Sequence, residues 1–175
     1  MNKKKGLQLF VNFISILLLI GLDQGSKYLA VLQLKGKTDF ILWKDVFVLH
    51  YLENRGAAFG MLKNQKLFFV FVAVVILTLI IYVLVKIPQN KKYRVMQCFL
   101  VMIAAGAVGN MIDRLLHDYV VDFFYFVLIN FPVFNVADIY VTVGTIVLAL
   151  CILFFYQEEE LKFLKPKIEK NNLRF

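Results

Sequence analysis

The sequence is poor in charge. Only 18% of its 175 residues are Asp, Glu, Lys or Arg, against about a quarter in a soluble domain of ordinary composition. The shortfall is concentrated in long apolar runs that hold no charge at all, and the chain as a whole is 61% hydrophobic. A water-soluble globule is excluded. A bilayer accounts for the runs, because a helix must cross about 30 Å of hydrocarbon with its backbone polar groups satisfied internally.

Cysteine and histidine are equally sparse. Cys98 and Cys151 both lie in apolar runs, no CxxC is present, and His50 and His117 are far apart. That pattern excludes a zinc site and a thiol nucleophile, and no metal or other cofactor is expected. Both cysteines read as small residues packing between helices. No small-x-small cleavage site follows the first apolar run; Asp23, Gln24 and Lys27 come instead, so that run reads as a retained helix and not a cleaved leader. Internal repeats and low-complexity stretches are lacking. So is a basic patch interleaved with aromatics, which excludes nucleic acid as a partner despite a net charge of +8.

What remains is an all-α membrane protein of four transmembrane helices, a single membrane-embedded domain over residues 1–175. The spans fall at Gly6 to Leu22 with a continuation toward Leu32, Leu67 to Val85, Val95 to Ile112, and Ile139 to Gln157. Lysine and arginine near the span ends set the orientation. The N-terminal Lys3-Lys4-Lys5, the link Lys86 to Arg94 and the tail after Gln157 are basic, so these segments and both termini are expected on the cytoplasmic side. The segment Gln33 to Lys66 opposes this with six basic residues, diluted by length and by Asp39, Asp45 and Glu53. It and Asp113 to Asp138 are then extracytoplasmic. Within the first, Phe40 to Leu52 is rich in β-branched and aromatic residues and predicts one or two short strands around Lys44-Asp45. The second contains VVDFFYFVLINFPVF, too apolar for a solvated loop, and is expected against the membrane surface or the strands. The charged tail from Gln157 onward reads as a helix extension that frays.

Charge inside a span costs about 2.5–3.5 kcal/mol per residue at a helix centre, so charged residues at span ends need a reason. Asp23, Lys27, Asn110, Asp113, Arg114, Asp122 and Asp138 all map to one face of the membrane. Asn110, Asp113 and Arg114 share a helical face behind the small residues Ala104, Ala105, Gly106, Ala107 and Gly109. This suits close helix packing with an arginine on the helix dipole, or a polar site. Asp138 suits an N-cap for the fourth span; Asp122, between Val121 and Phe123, has no such role. Two carboxylates beside apolar walls are driven to share one proton, the device by which a pair of aspartates activates water against a peptide bond. Asn54-Arg55-Gly56-Ala57-Ala58-Phe59-Gly60 reads as a tight turn or helix start, with Asn54 either capping it or donating hydrogen bonds to a substrate backbone.

Taken in order, Asp23-Gln24-x-x-Lys27, Asn54 to Gly60, Gly106-Ala107-x-Gly109-Asn110-x-x-Asp113-Arg114, Val121-Asp122-Phe123 and Phe134-Asn135-Val136-Ala137-Asp138 resemble the motifs of the bacterial lipoprotein signal peptidases, or signal peptidase II. The resemblance runs from about residue 20 to 145. It implies an aspartic endopeptidase of the bacterial cytoplasmic membrane that cuts prolipoproteins on the N-terminal side of a diacylglyceryl-modified cysteine. It also implies sensitivity to globomycin and a small extracytoplasmic β-cradle. On the matching positions it puts the catalytic dyad at Asp122 and Asp138. Asn54, Asn110, Arg114 and Asn135 line the substrate site, and Asp23, Lys27, Gly56 and Asp113 have structural or positional places near it. One departure is Ile139, where many members carry a small polar residue; as neighbour of the dyad it is expected to face away. The stretch Phe123 to Phe134 is expected to shelter the reaction as a lid. The alternatives are a small proton-coupled transporter using membrane-interface carboxylates, which normally lie mid-helix, and a non-catalytic lipoprotein chaperone subunit.

Overall fold

A computed structural model describes residues 3–56 and 62–164. Four helices are long and apolar enough to cross a membrane: α1 (Lys3–Leu34), α2 (Lys66–Lys86), α3 (Arg94–His117) and α4 (Val136–Leu150). A single π turn, Cys151–Phe155, prolongs α4. A three-stranded antiparallel sheet joins them, in the order β1 (Phe40–Trp43), β2 (Phe47–Asn54) and β3 (Val120–Phe126). The outer helix faces are Leu, Ile, Val and Phe; Leu67 and Phe154 are each 82% exposed, as lipid-facing residues must be when no solvent competes for them. The protein is a multi-pass membrane protein with a small sheet, as the sequence predicts.

The helices differ from the expected spans at the ends that matter. α3 runs to His117, so Asn110, Asp113 and Arg114 sit within its last two turns and not at its end. It stops where Asp118 takes the left-handed conformation (φ 66°) and returns its N–H to the Arg114 carbonyl. α4 begins at Val136 because Asn135 caps it. The Asn135 side chain accepts from the Asp138 N–H, and the Asp138 carboxylate accepts from the Asn135 N–H. Asp138 is therefore the third residue of α4, closing a capping box with Asn135, and not the N-cap the sequence suggested.

Two strands meet around Lys44-Asp45 as predicted, with Asp45 at φ 59° in the turn. The apolar stretch after Asp118 does more than lie on them: it supplies β3, whose Val120 pairs with Asn54 and whose Asp122 pairs with Leu52. Side chains alternate along β3. Val121 and Phe123 join Ala30 and Leu34 of α1 in a buried cluster, and Val120 and Asp122 face a cavity on the other side. The chain then reverses through Val127–Ile129 and Asn130 (φ 47°), and Phe134 pairs back onto Phe124. The tail continues as a 3-10 helix over Glu158–Leu164. Residues 57–60 of the expected turn or helix start, and the tail from residue 165, lie outside the described residues.

Small residues set the approach of α3 to its neighbours. A Cβ at Gly106 would meet the Ala137 carbonyl oxygen at 2.5 Å and Val141 Cγ2 at 2.8 Å, and one at Gly109 would collide with the Asp23 carboxylate. Gly109→Ala should thus force α1 from α3 at a cost of about 1–3 kcal/mol, read as a lower melting temperature of the detergent-solubilised protein. An unchanged melting temperature would refute this contact. The cysteines divide: Cys151 packs on the main core, but Cys98 is exposed on the outer face of α3. Its place between helices is corrected by the helical phase, since Gln97 and not Cys98 points inward.

Candidate active site

Asp122 and Asp138 line one cavity of about 420 Å³ together with Asn54, Gly56, Asn110 and Arg114. The register of the sheet delivers the first half. Asn54 opposes Val120, so its side chain lies diagonally across from Asp122 on the same face. Its Nδ2 donates to Asp122 Oδ2 at 2.8 Å, and its Oδ1 accepts from the Gly56 N–H at 2.9 Å. The turn-capping reading of Asn54 is therefore seen directly, and its amide donor is spent on the carboxylate in this state.

Asn135 joins the two acids. It is fully buried. Its Nδ2 donates to Asp122 Oδ1 at 2.6 Å and to Asn110 Oδ1 at 3.2 Å, and its backbone N–H reaches Asp138 Oδ2 at 3.1 Å. Asn110 Nδ2 completes the set by donating to Asp138 Oδ1 at 2.8 Å. Every carboxylate oxygen of the pair so accepts one hydrogen bond from a neutral donor, which orients both groups without neutralising either. Burial, and then the charge of Asp138, push the Asp122 carboxyl up to about 7, against the opposing pull of the Asn54 and Asn135 amides.

Behind this pair lies a buried charged cluster. Lys27 is 3% exposed and bridges Asp23 at 2.9 Å and Asp113 at 3.0 Å, while donating to Asn110 Oδ1 at 2.9 Å. Asp23 Oδ1 accepts the Ala137 N–H, fixing the start of α4, and Asp113 Oδ2 accepts the Val121 N–H, fixing β3 beside Asp122. Gln24, which the sequence did not single out as a site residue, donates to Asp23, Asp113 and the Gly109 carbonyl. Its adjacency to Asp23 on a buried helix end was the available signal. Arg114 donates to the Asn110 and Gly56 carbonyls and stacks over Phe69 at 4.5 Å.

The apolar wall departs from expectation in two places. Phe131, Pro132, Val133 and Phe134 border the cavity, but Phe123 is turned into the α1 cluster, so a cover from this stretch would come from residues 131–134 and not Phe123. Ile139 does not face away: it lines the cavity with Thr142 and Val143, because the first turns of α4 present 138, 139, 142 and 143 on one broad face. A narrower cleft of about 200 Å³ shares Asn110, Arg114 and Asp138 and descends between α2, α3 and α4 past Phe69, Ala73, Ile76 and Ile103. No group of three or more His, Cys, Asp or Glu able to hold a metal occurs among the described residues.

A model of the family described as signal peptidase (SPase) II matches residues 15–154. The chain is 47% identical over 134 residues to the lipoprotein signal peptidase of Caldanaerobacter subterraneus subsp. tengcongensis, covering 76% of this chain and 89% of that protein. It is 40% identical over 146 residues to the lipoprotein signal peptidase of Clostridium tetani, with 82% and 92% covered. A solved bacterial membrane enzyme, determined by the in meso method at 1.9 Å resolution, superposes with a TM-score of 0.71 at 29% identity, covering 83% of this chain and 94% of that one.

Proposed function

The chain belongs to the signal peptidase II family of peptidases, and from that premise we propose that it removes signal peptides from prolipoproteins by aspartic catalysis, cutting on the N-terminal side of a diacylglyceryl-modified cysteine. The observation that carries the mechanism is the shared Asn135, which ties two carboxylates from different elements to one cavity.

Asp122, the more deeply buried of the two, holds the shared proton. Asp138, at the third residue of α4, lies where the aligned peptide dipoles favour negative charge. Asp138 takes a proton from the water as its oxygen bonds to the scissile carbonyl carbon, and Asp122 gives its proton to the carbonyl oxygen. The C–N bond then breaks as the proton on Asp138 passes to the leaving amine and a gem-diol hydroxyl returns a proton to Asp122. Arg114 and Asn110 bind the substrate backbone. The cleft between α2, α3 and α4 accepts an apolar segment while the scissile bond stays at the polar end, so the acyl chains remain in the bilayer. The basic termini and the basic α2–α3 link support an orientation with this end on the extracytoplasmic side of the bacterial cytoplasmic membrane.

Cleavage of a diacylglyceryl-cysteine peptide by the purified protein, blocked by globomycin, tests the reading. Binding of the peptide without cleavage would sink it. Arg114→Ala should raise KM about tenfold, the order expected for a lost hydrogen bond to a charged group, with kcat little changed. A loss confined to kcat would reassign it. The pH profile offers a further check. Loss of the shared proton near pH 7 should set the alkaline limb of kcat/KM. In Asn54→Ala the anion of Asp122 loses a hydrogen-bond donor, so the limb should move to higher pH. A shift to lower pH, or none, would contradict the assigned proton position.

A further inference from the structure

At the other end of α3, about 24 Å along the helix from Asn110 at 1.5 Å per residue, lies a recess of about 220 Å³ lined by Gln8, Gln89, Asn90, Lys91, Arg94 and Gln97. Every lining side chain is polar or cationic, and no carboxylate borders it. The neighbouring acid Glu160 is engaged by Lys92, with Nζ to Oε1 at 2.6 Å. Lys91 and Arg94 make no ion pair among the described residues. Both are exposed at the mouth. The Asn90 side chain caps the Lys91–Tyr93 turn by accepting from the Lys92 N–H at 3.0 Å, and α3 starts at once behind it. The positive end of a 24-residue helix therefore adds to the two cations.

The recess has a polar floor without a protein partner. Gln97 is 92% buried (8% exposed) and borders the recess, yet no hydrogen bond satisfies its amide among the described residues. The fully buried side-chain atom without a partner among the described residues is Asn12 Nδ2 and not the Gln97 amide, so that amide opens to the recess and can meet a ligand there. Gln8 and Gln89 pair with each other across the opening and so hold α1 to the α2–α3 link.

We infer that this recess binds one phosphate group, that of an anionic phospholipid headgroup in the leaflet opposite the candidate active site. Two cations at the mouth bind the charge, a helix N-terminus supports it, and the Gln97 amide donates to a phosphate oxygen. A lipid is the favoured source because the recess lies at the ends of membrane-spanning helices, where Val95, next in the chain to Arg94, is 43% exposed.

The test is native mass spectrometry of the full chain in a non-ionic detergent, titrated with phosphatidylglycerol and, separately, with uncharged diacylglycerol or inorganic phosphate. One phosphatidylglycerol should be retained per chain and no diacylglycerol. Lys91→Gln and Arg94→Gln, both at exposed positions that do not support the core, should each weaken retention about tenfold, the size of one lost charge-assisted hydrogen bond. Gln97→Leu should weaken it with every charge kept. Displacement of the lipid by millimolar inorganic phosphate supports the shared phosphate chemistry; retention of inorganic phosphate alone would move the source from lipid to solution and overturn the lipid assignment. Equal retention by the wild type and the Lys91→Gln/Arg94→Gln double variant overturns the site. So does indifference to Gln97→Leu, which would leave only diffuse surface charge.

Discussion

Asp122→Asn is expected to lower the rate of precursor cleavage by about 10²–10⁴-fold, the range of a lost general acid or base, while the protein still inserts and stays folded. The amide is nearly isosteric with the protonated carboxyl that we assign to this position, and its oxygen still accepts from one of the Asn54 and Asn135 amides. What is lost is transfer of a proton. Asp138→Asn should give a loss of similar size for a different reason: an amide cannot take a proton from water. It also removes an acceptor from the Asn135 N–H, one half of the capping box. A loss of stability, about 0.5–2 kcal/mol by analogy with removal of a cap, should therefore be larger in this variant, which disturbs the start of α4, than in the first. Cleavage of a diacylglyceryl-cysteine peptide, followed with melting curves for both variants, separates the two effects. Near-normal turnover by either variant would remove that residue from the chemistry.

Lys27→Met is expected to be among the most damaging single changes away from the carboxylate pair. The ammonium is 3% exposed and stands between Asp23 at 0% and Asp113 at 2%. Taking out one member of a buried ion cluster leaves the others uncompensated, and such losses run to about 3–5 kcal/mol. The exposed pair Lys35–Glu53, of similar length at 2.8 Å but half open to solvent on the lysine side, supplies the contrast: Lys35→Met should cost less than about 1 kcal/mol. Desolvation and not distance decides between the two. Cleavage should fall with stability in Lys27→Met, because Asn110 Oδ1 loses one of its two donors and the amide that orients the Asp138 carboxylate is held less firmly. Thermal unfolding of both variants in the same detergent measures the difference. Equal effects from the two lysines would show that the buried cluster does not hold the bundle.

Both predictions rest on contacts that were only partly legible in the chain. The helices were legible because the requirement is local: a bilayer rejects unpaired backbone polar groups, so an uninterrupted apolar run such as Leu67 to Val85 must be a helix whatever surrounds it. The membrane setting and the suspicion attached to Asp23, Lys27, Asn110, Asp113, Arg114, Asp122 and Asp138 follow from the same rule, since polar and charged groups at the edge of hydrocarbon are too costly to be idle; Asn135 was marked only by the resemblance to the signal peptidases. The third strand was not legible, because a run as apolar as Val120 to Phe126 fits a surface loop, a buried strand or a short helix equally well until a pairing partner is known. Nor was the phase of single residues at helix ends: Ile139 was expected to turn away and lines the cavity, and Cys98 was expected inside and faces out. Composition alone determined that this protein is a helical membrane protein with costly polar residues gathered at one end. Tertiary structure decided that Asn54 meets Asp122, that Asn135 spans the two acids, and that Lys27 stands behind them. Those contacts depend on strand register and on how closely glycine lets α3 approach α1 and α4, and neither quantity is a property of any local stretch of chain.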